Sequence, residues 1–167
     1  MPSVTGAGRA ATVCAFCTLL AACSSSPSAA TSDAGAPGCA TYAVPASFDP
    51  AAAVSFERDV FPLFAKSCAF SACHALANKR LYLGGSDPAA ARAALVNVAA
   101  SAAPTLHLVE PGDPAKSFLL RKLDGDACTL VGTCKDGDCG DTMPPQGELL
   151  PVASRDLVRR WIAQGAK

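Results

Sequence analysis

The chain has 167 residues, room for a leader, a tether and one domain of ordinary size. Hydrophobic residues make up 50% of it and aromatics only 6%, with much of the apolar content in alanine. Such a chain builds a thin core, which a bulky apolar group or covalent cross-links would reinforce. The 14 basic and 14 acidic side chains give a formal net charge of +0 with no basic block, which excludes a nucleic-acid surface. Nine cysteines are a high count. They suit an oxidising compartment, as cross-links or attachment points, better than a reducing cytosol.

Arg9 precedes an apolar stretch, Ala10 to Ala22, long enough for a signal-peptide core and too short to span a bilayer. The stretch ends in Leu20-Ala21-Ala22-Cys23, followed by Ser24-Ser25-Ser26-Pro27. This resembles the bacterial lipobox. The resemblance implies that residues 1–22 leave as a leader, with Cys14 and Cys17, and that Cys23 becomes a lipidated N-terminus. Ser24 at the next position is compatible, by the same resemblance, with sorting to an outer membrane. Acyl chains contribute about 0.8 kcal/mol per buried methylene, so two or three of them hold a small domain at a membrane firmly. Residues 23–50 are rich in Ser, Ala, Pro, Gly and Thr and read as a flexible tether. Cys39 inside it suggests a pin to the domain of residues 51–167.

Within that domain, Phe56, Val60, Phe61 and Phe64 recur at helical spacing in the run from Val54 to Cys68, with Pro62 as a place to kink or restart. Leu81-Tyr82-Leu83 is a short extended piece before a Gly84-Gly85 turn. Asp87 as N-cap and Pro88 at the first position predict an alanine-rich helix to about Ala100. Leu106 to Val109 reads as extended. Pro111-Gly112-Asp113-Pro114 repeats the cap-then-proline pattern and opens a helix through Phe118, Leu119, Leu120 and Leu123. Residues 124–150, with glycines, aspartates, prolines and three cysteines, form a long irregular loop, which at this length is functional or stapled. Pro151 starts a last helix carrying Leu157, Val158, Trp161 and Ile162, ended by Gly165. The fold class is mainly α.

Cys68, Cys73, His74 and Met143 carry the chemistry. A covalently held haem needs two thiols for its vinyl groups and an imidazole directly after the second thiol, beneath the iron. Here Ala69, Phe70, Ser71 and Ala72 separate the thiols, giving C-x4-C-H in place of the usual two-residue spacer. Setting aside the initiator, Met143 is the only methionine in the chain. It stands in Asp141-Thr142-Met143-Pro144-Pro145, a polar proline-stiffened loop, not on a helix where a gap-filling core methionine is expected. A thioether there suits the second axial position of a haem iron.

From about Phe56 to Ala166 the chain resembles a small class I-type c-type cytochrome domain of bacterial cell-envelope lipoproteins. The matching pieces, in order, begin with the aromatic helix before Ser67-Cys68, the Cys73-His74 pair and Val109-Glu110-Pro111-Gly112-Asp113-Pro114. The run from Ser117 to Leu123, the Met143-Pro144 loop and the closing Trp161-Ile162-Ala163-Gln164-Gly165-Ala166 complete them. The resemblance implies a small cytochrome c-like helical domain with one covalent haem c on Cys68 and Cys73. His74 and Met143 would be its axial iron ligands. First and last helices would cross beside the haem, placing Trp161 against Phe56, Val60 or Phe64. It implies electron transfer in the cell envelope, with redox partner proteins and a membrane reached through the lipid, and no catalysis.

Other readings stand beside this one. Cys68 and Cys73 can close on each other, leaving a haem-free, disulfide-stapled envelope lipoprotein that binds a partner. Met143 can leave the iron, giving a sensor or peroxidase-like enzyme. Under the haem reading Cys39, Cys128, Cys134 and Cys139 remain, enough for two disulfides in any of three pairings. Zinc on Cys128, Cys134 and Cys139 lacks the usual knuckle spacing. Asp136, Asp138 and Asp141 only faintly resemble a calcium loop, with Gln146 and Glu148 off register, and read as a solvated acidic turn. His107 is an alternative axial ligand or an ordinary surface histidine. Arg121 and Lys122 are placed to approach haem propionates, although cations near a helix C-terminus are common anyway.

Overall fold

Helix formation begins at Ser55, where the computed structural model shows a reciprocal cap. The Ser55 Oγ accepts from Arg58 N–H at 3.3 Å, and the Ser55 N–H donates to the Asp59 carboxylate at 2.8 Å. The structure describes Cys39 and residues 41–75, 81–145 and 148–167. One π-helical turn, Phe56–Val60, runs into helix α1, Phe61–Ser67. The change falls beside Pro62. In the first turn of the new helix its missing N–H has no intrahelical partner to lose. Phe56, Val60 and Phe64 are buried on the face that their spacing predicts.

Asp87 caps α2, Pro88–Ala93, accepting from Ala89 N–H at 2.9 Å and Ala90 N–H at 3.1 Å. The helix does not reach Ala100. Asn97 takes a positive φ of 57°, and Val96 and Ala99 form isolated bridges with Val109 and His107. Hydrogen bonds from Leu108 N–H to Val98 O at 2.7 Å and from Ala100 N–H to Leu106 O at 2.8 Å hold this pairing. It sinks Leu95 and Val109 completely. Burial across the chain therefore overrides the local helix propensity of the alanines. Among the described residues these bridges never grow into a strand.

The predicted helix after Pro114 divides in two. A 3-10 turn, Pro114–Lys116, is capped by the Asp113 side chain, and α3, Phe118–Asp124, follows it. Ser117 lies between them in an extended conformation. Its hydroxyl donates to Asp113 O at 2.9 Å and accepts from Glu110 N–H at 2.9 Å, so side-chain bonds replace the helical ones. Helix α4, Val152–Ala163, begins directly after Pro151.

Packing joins these pieces into one main core. Trp161 stacks on Phe56 at 4.8 Å between ring centroids, tying α4 to the opening π-turn. Arg155 and Arg159 of α4 both hold the buried Asp124 at the end of α3, the first at 2.9 Å. Burial pushes the Asp124 carboxyl above its usual range in spite of the two guanidinia. Such a network fixes how the helices meet more than it adds stability.

Among its described residues, the loop from Asp124 to Leu150 contains two short 3-10 turns, Ala127–Leu130 and Lys135–Gly137. Disulfides Cys39–Cys128 and Cys134–Cys139 staple it. Of the three pairings open in the sequence, this one leaves no cysteine there for zinc. The first bond brings the tether's end onto the domain. Tyr42 N–H donates to Asp126 at 2.9 Å, and the Tyr42 ring lies against the guanidinia of Arg155 and Arg159 at 4.4 and 4.7 Å. The leader of residues 1–22, Cys23 and the tether before Cys39 fall outside the described residues. Among the described residues no helix is long and apolar enough to cross a membrane.

Candidate functional site

Directly after α1 the chain makes a tight loop. Cys73 N–H and Ala75 N–H both donate to Phe70 O, at 2.8 and 3.2 Å, and His74 N–H returns to Cys68 O at 3.2 Å. The extra residues of the spacer are taken up in this turn, with the Phe70 side chain left exposed. The His74 carbonyl then accepts from Leu83 N–H at 2.9 Å and Gly84 N–H at 3.1 Å. A Cβ on Gly84 would stand 2.9 Å from the Ala75 backbone, so glycine is needed for this approach.

The same Leu81–Leu83 segment orients the imidazole. His74 Nδ1 lies 2.9 Å from Leu81 O. A carbonyl can only accept, so Nδ1 is the donor, and in the neutral ring this leaves Nε2 as the nitrogen with a lone pair for a Lewis acid.

Cys68, Cys73, His74 and Met143 all line one cavity of about 600 Å³. Small-molecule sites commonly fall at about 300–1,000 Å³. Its lining includes the thiol–imidazole loop with Phe64, Phe118, Leu119 and Leu123 of α3, Leu81, Leu83 and Leu108, Ser101 and Ala102, and residues of the arm from Cys139 to Pro145. Met143 reaches it half-buried, packed against the main core, with its N–H donating to Lys122 O at 2.9 Å.

Cysteine chemistry divides the chain sharply. Cys39, Cys128, Cys134 and Cys139 are oxidised in pairs, whereas Cys68 and Cys73 are free thiols. Burial pushes the Cys68 thiol up to about 11, and the neighbouring Cys73 adds to the rise. At neutral pH Cys68 therefore stays protonated and is a poor nucleophile toward solutes.

Lys122, which the sequence reading placed to approach haem propionates, and one further group also line the cavity. Lys122 is buried, its Nζ donating to Cys139 O at 2.7 Å, and burial holds its pKa below the usual lysine value against the pull of Asp141 and Asp138. The Cys139 end of the second disulfide also faces the cavity. The signal for Lys122 was its place in the stripe Phe118, Leu119, Lys122, Leu123, whose spacing puts all four on one helix face.

The remaining sequence candidates lie elsewhere. His107 Nδ1 meets Glu110 at 2.7 Å on a half-exposed surface. Arg121 bonds Asp126 at 3.0 Å and Ala115 O at 2.8 Å, outside this cavity. Among the described residues no group of three His, Cys, Asp or Glu side chains gathers to hold a metal ion.

Fold and site together define a class: a mainly helical, disulfide-stapled domain whose apolar cavity is lined by two free thiols, an imidazole and a thioether. No protein-family model, curated protein or solved structure matches the chain, so the class rests on this geometry alone.

Proposed function

We propose that the chain is a monohaem c-type cytochrome, anchored by lipid at Cys23 and used to transfer electrons in the bacterial cell envelope. One observation carries the reading. In a domain that oxidises its other described cysteines to disulfides, the two left as thiols share an apolar cavity with His74 and Met143.

The residues present fit such a group. Cys68 and Cys73 would hold it covalently, His74 through Nε2 and Met143 through its thioether would bind its iron, and the walls are mostly apolar. When bound, haem would supply a one-electron iron couple. Leu81 keeps the His74 ring in the ligating tautomer. Phe64, Leu108, Phe118 and Leu123 keep water from the cavity, and His/Met ligation in apolar surroundings favours a raised potential. The exposed Phe70 at the rim offers a redox partner protein a contact surface.

The test is production of the full chain in a host able to attach haem. The reading expects a red protein whose mass is raised by one haem, lost in the Cys68→Ser/Cys73→Ser variant. A colourless product with both thiols unmodified contradicts it and favours a haem-free stapled lipoprotein.

A further inference from the structure

Among its described residues, the arm bearing Met143 has no helix between Gly137 and Val152 to set its position. Its attachments therefore decide where the thioether sits. Two of them belong to a single residue on α3. Lys122 O accepts the Met143 N–H at 2.9 Å, and Lys122 Nζ donates to Cys139 O at 2.7 Å. The arm is thus gripped at both ends, and the Cys134–Cys139 bond ties its first end to the chain before it. Gly140 shows how close the fit is. Its φ is +69°, and a Cβ there would stand 3.2 Å from Lys122 Nζ.

The ammonium is costly in this place. Lys122 is 8% exposed, and among the described residues one of its three N–H groups has an acceptor. A methionine would fill nearly the same space without desolvating a charge. What methionine lacks is a donor for the Cys139 carbonyl, and a charge-assisted hydrogen bond is about twice as strong as a neutral one.

We infer that Lys122 is the positioning residue of the Met143 arm: its ammonium straps Cys139 and its carbonyl seats Met143, so that the thioether is held at the cavity. Calling that thioether an iron ligand rests on the haem reading; the strap itself does not.

The experiment uses the full chain with both disulfides formed, without and with haem, as wild type, Lys122→Met and Lys122→Arg. In the haem-free protein, hydrogen peroxide transfers an oxygen atom to the Met143 sulfur, leaving water, and mass spectrometry reads the rate. Lys122→Met should oxidise about tenfold faster or more, the population change that follows loss of one charge-assisted hydrogen bond. Its urea midpoint should not fall, because a buried charge has been removed. Lys122→Arg keeps a donor and should return the rate toward wild type. In the reduced loaded protein, Lys122→Met should take up carbon monoxide where the wild type resists it. Gly140→Ala disturbs the same contact from the arm's side and should also speed oxidation.

Val158→Ala, buried in the core on α4, is the control for general loosening. Oxidation in Lys122→Met at the wild-type rate, or a rise matched by Val158→Ala at an equal loss of midpoint, overturns the strap. A wild-type chain that takes up no haem overturns the haem reading instead, and the oxidation rates still decide the strap.

Discussion

Around α1, α3 and α4, Phe56, Val60, Phe64, Leu123, Val158, Trp161 and Ile162 are buried in one apolar cluster. Among the described residues, the 124–150 segment buries only Ala127, Cys134 and Cys139 of its apolar side chains. Yet both reach the same cavity, the first with the thiol–imidazole loop and the second with the thioether. Where side chains are large, burial orders the backbone. Where they are small or polar, covalent bonds and single strong hydrogen bonds must do it, because each ordered residue loses about 1–2 kcal/mol of conformational entropy.

The difference breaks most plainly in the core. Trp161→Ala removes the ring packed on Phe56 and should lower the unfolding free energy by roughly 3–5 kcal/mol in urea denaturation. Next comes the longer staple. Cys39→Ser/Cys128→Ser opens a link across 89 residues, for which loop entropy gives a cost of about 4–5 kcal/mol. The short staple should behave otherwise. Cys134→Ser/Cys139→Ser opens a link across 5 residues, for which loop entropy gives only about 2 kcal/mol. Its larger effect should be local, as faster peroxide oxidation of Met143 under conditions where the core stays folded.

These two halves were also unequally legible. Phe56, Val60, Phe64 and Trp161 announce themselves by helical spacing, and Asp87-Pro88 and Pro151 mark true helix starts. The end of α2 was not readable, because Val96 and Val98 leave the helix for partners about ten residues further on, a tertiary cause invisible in a local window. Ser117 hid the break before α3 in the same way, through side-chain bonds to Glu110 and Asp113. For the site, Cys68, Cys73, His74 and Met143 were legible from residue type and context. The disulfide pairing was not, since four cysteines allow three connectivities. The strap by Lys122 depends on a carbonyl 17 residues away, which no spacing rule reaches.

The smallest expected effect sharpens the comparison at the thiols. With burial raising the Cys68 thiol to about 11, its thiolate fraction in the haem-free protein drops tenfold for each pH unit below that value. Iodoacetamide labelling of Cys68, followed by peptide mass, should therefore rise about tenfold per unit from roughly pH 8 toward 11. A rate already level by pH 9 would mean that the thiol is not buried as described.

The most direct measurement concerns one peptide. Trypsin cuts after Lys66 and Lys79, releasing residues 67–79 with Cys68, Cys73 and His74 together. From protein matured with haem-attachment machinery, then denatured and extracted with acidified acetone, that peptide should retain one haem and no alkylatable thiol. Recovery of the same peptide without haem, as two free thiols or as a Cys68–Cys73 disulfide, would contradict the account.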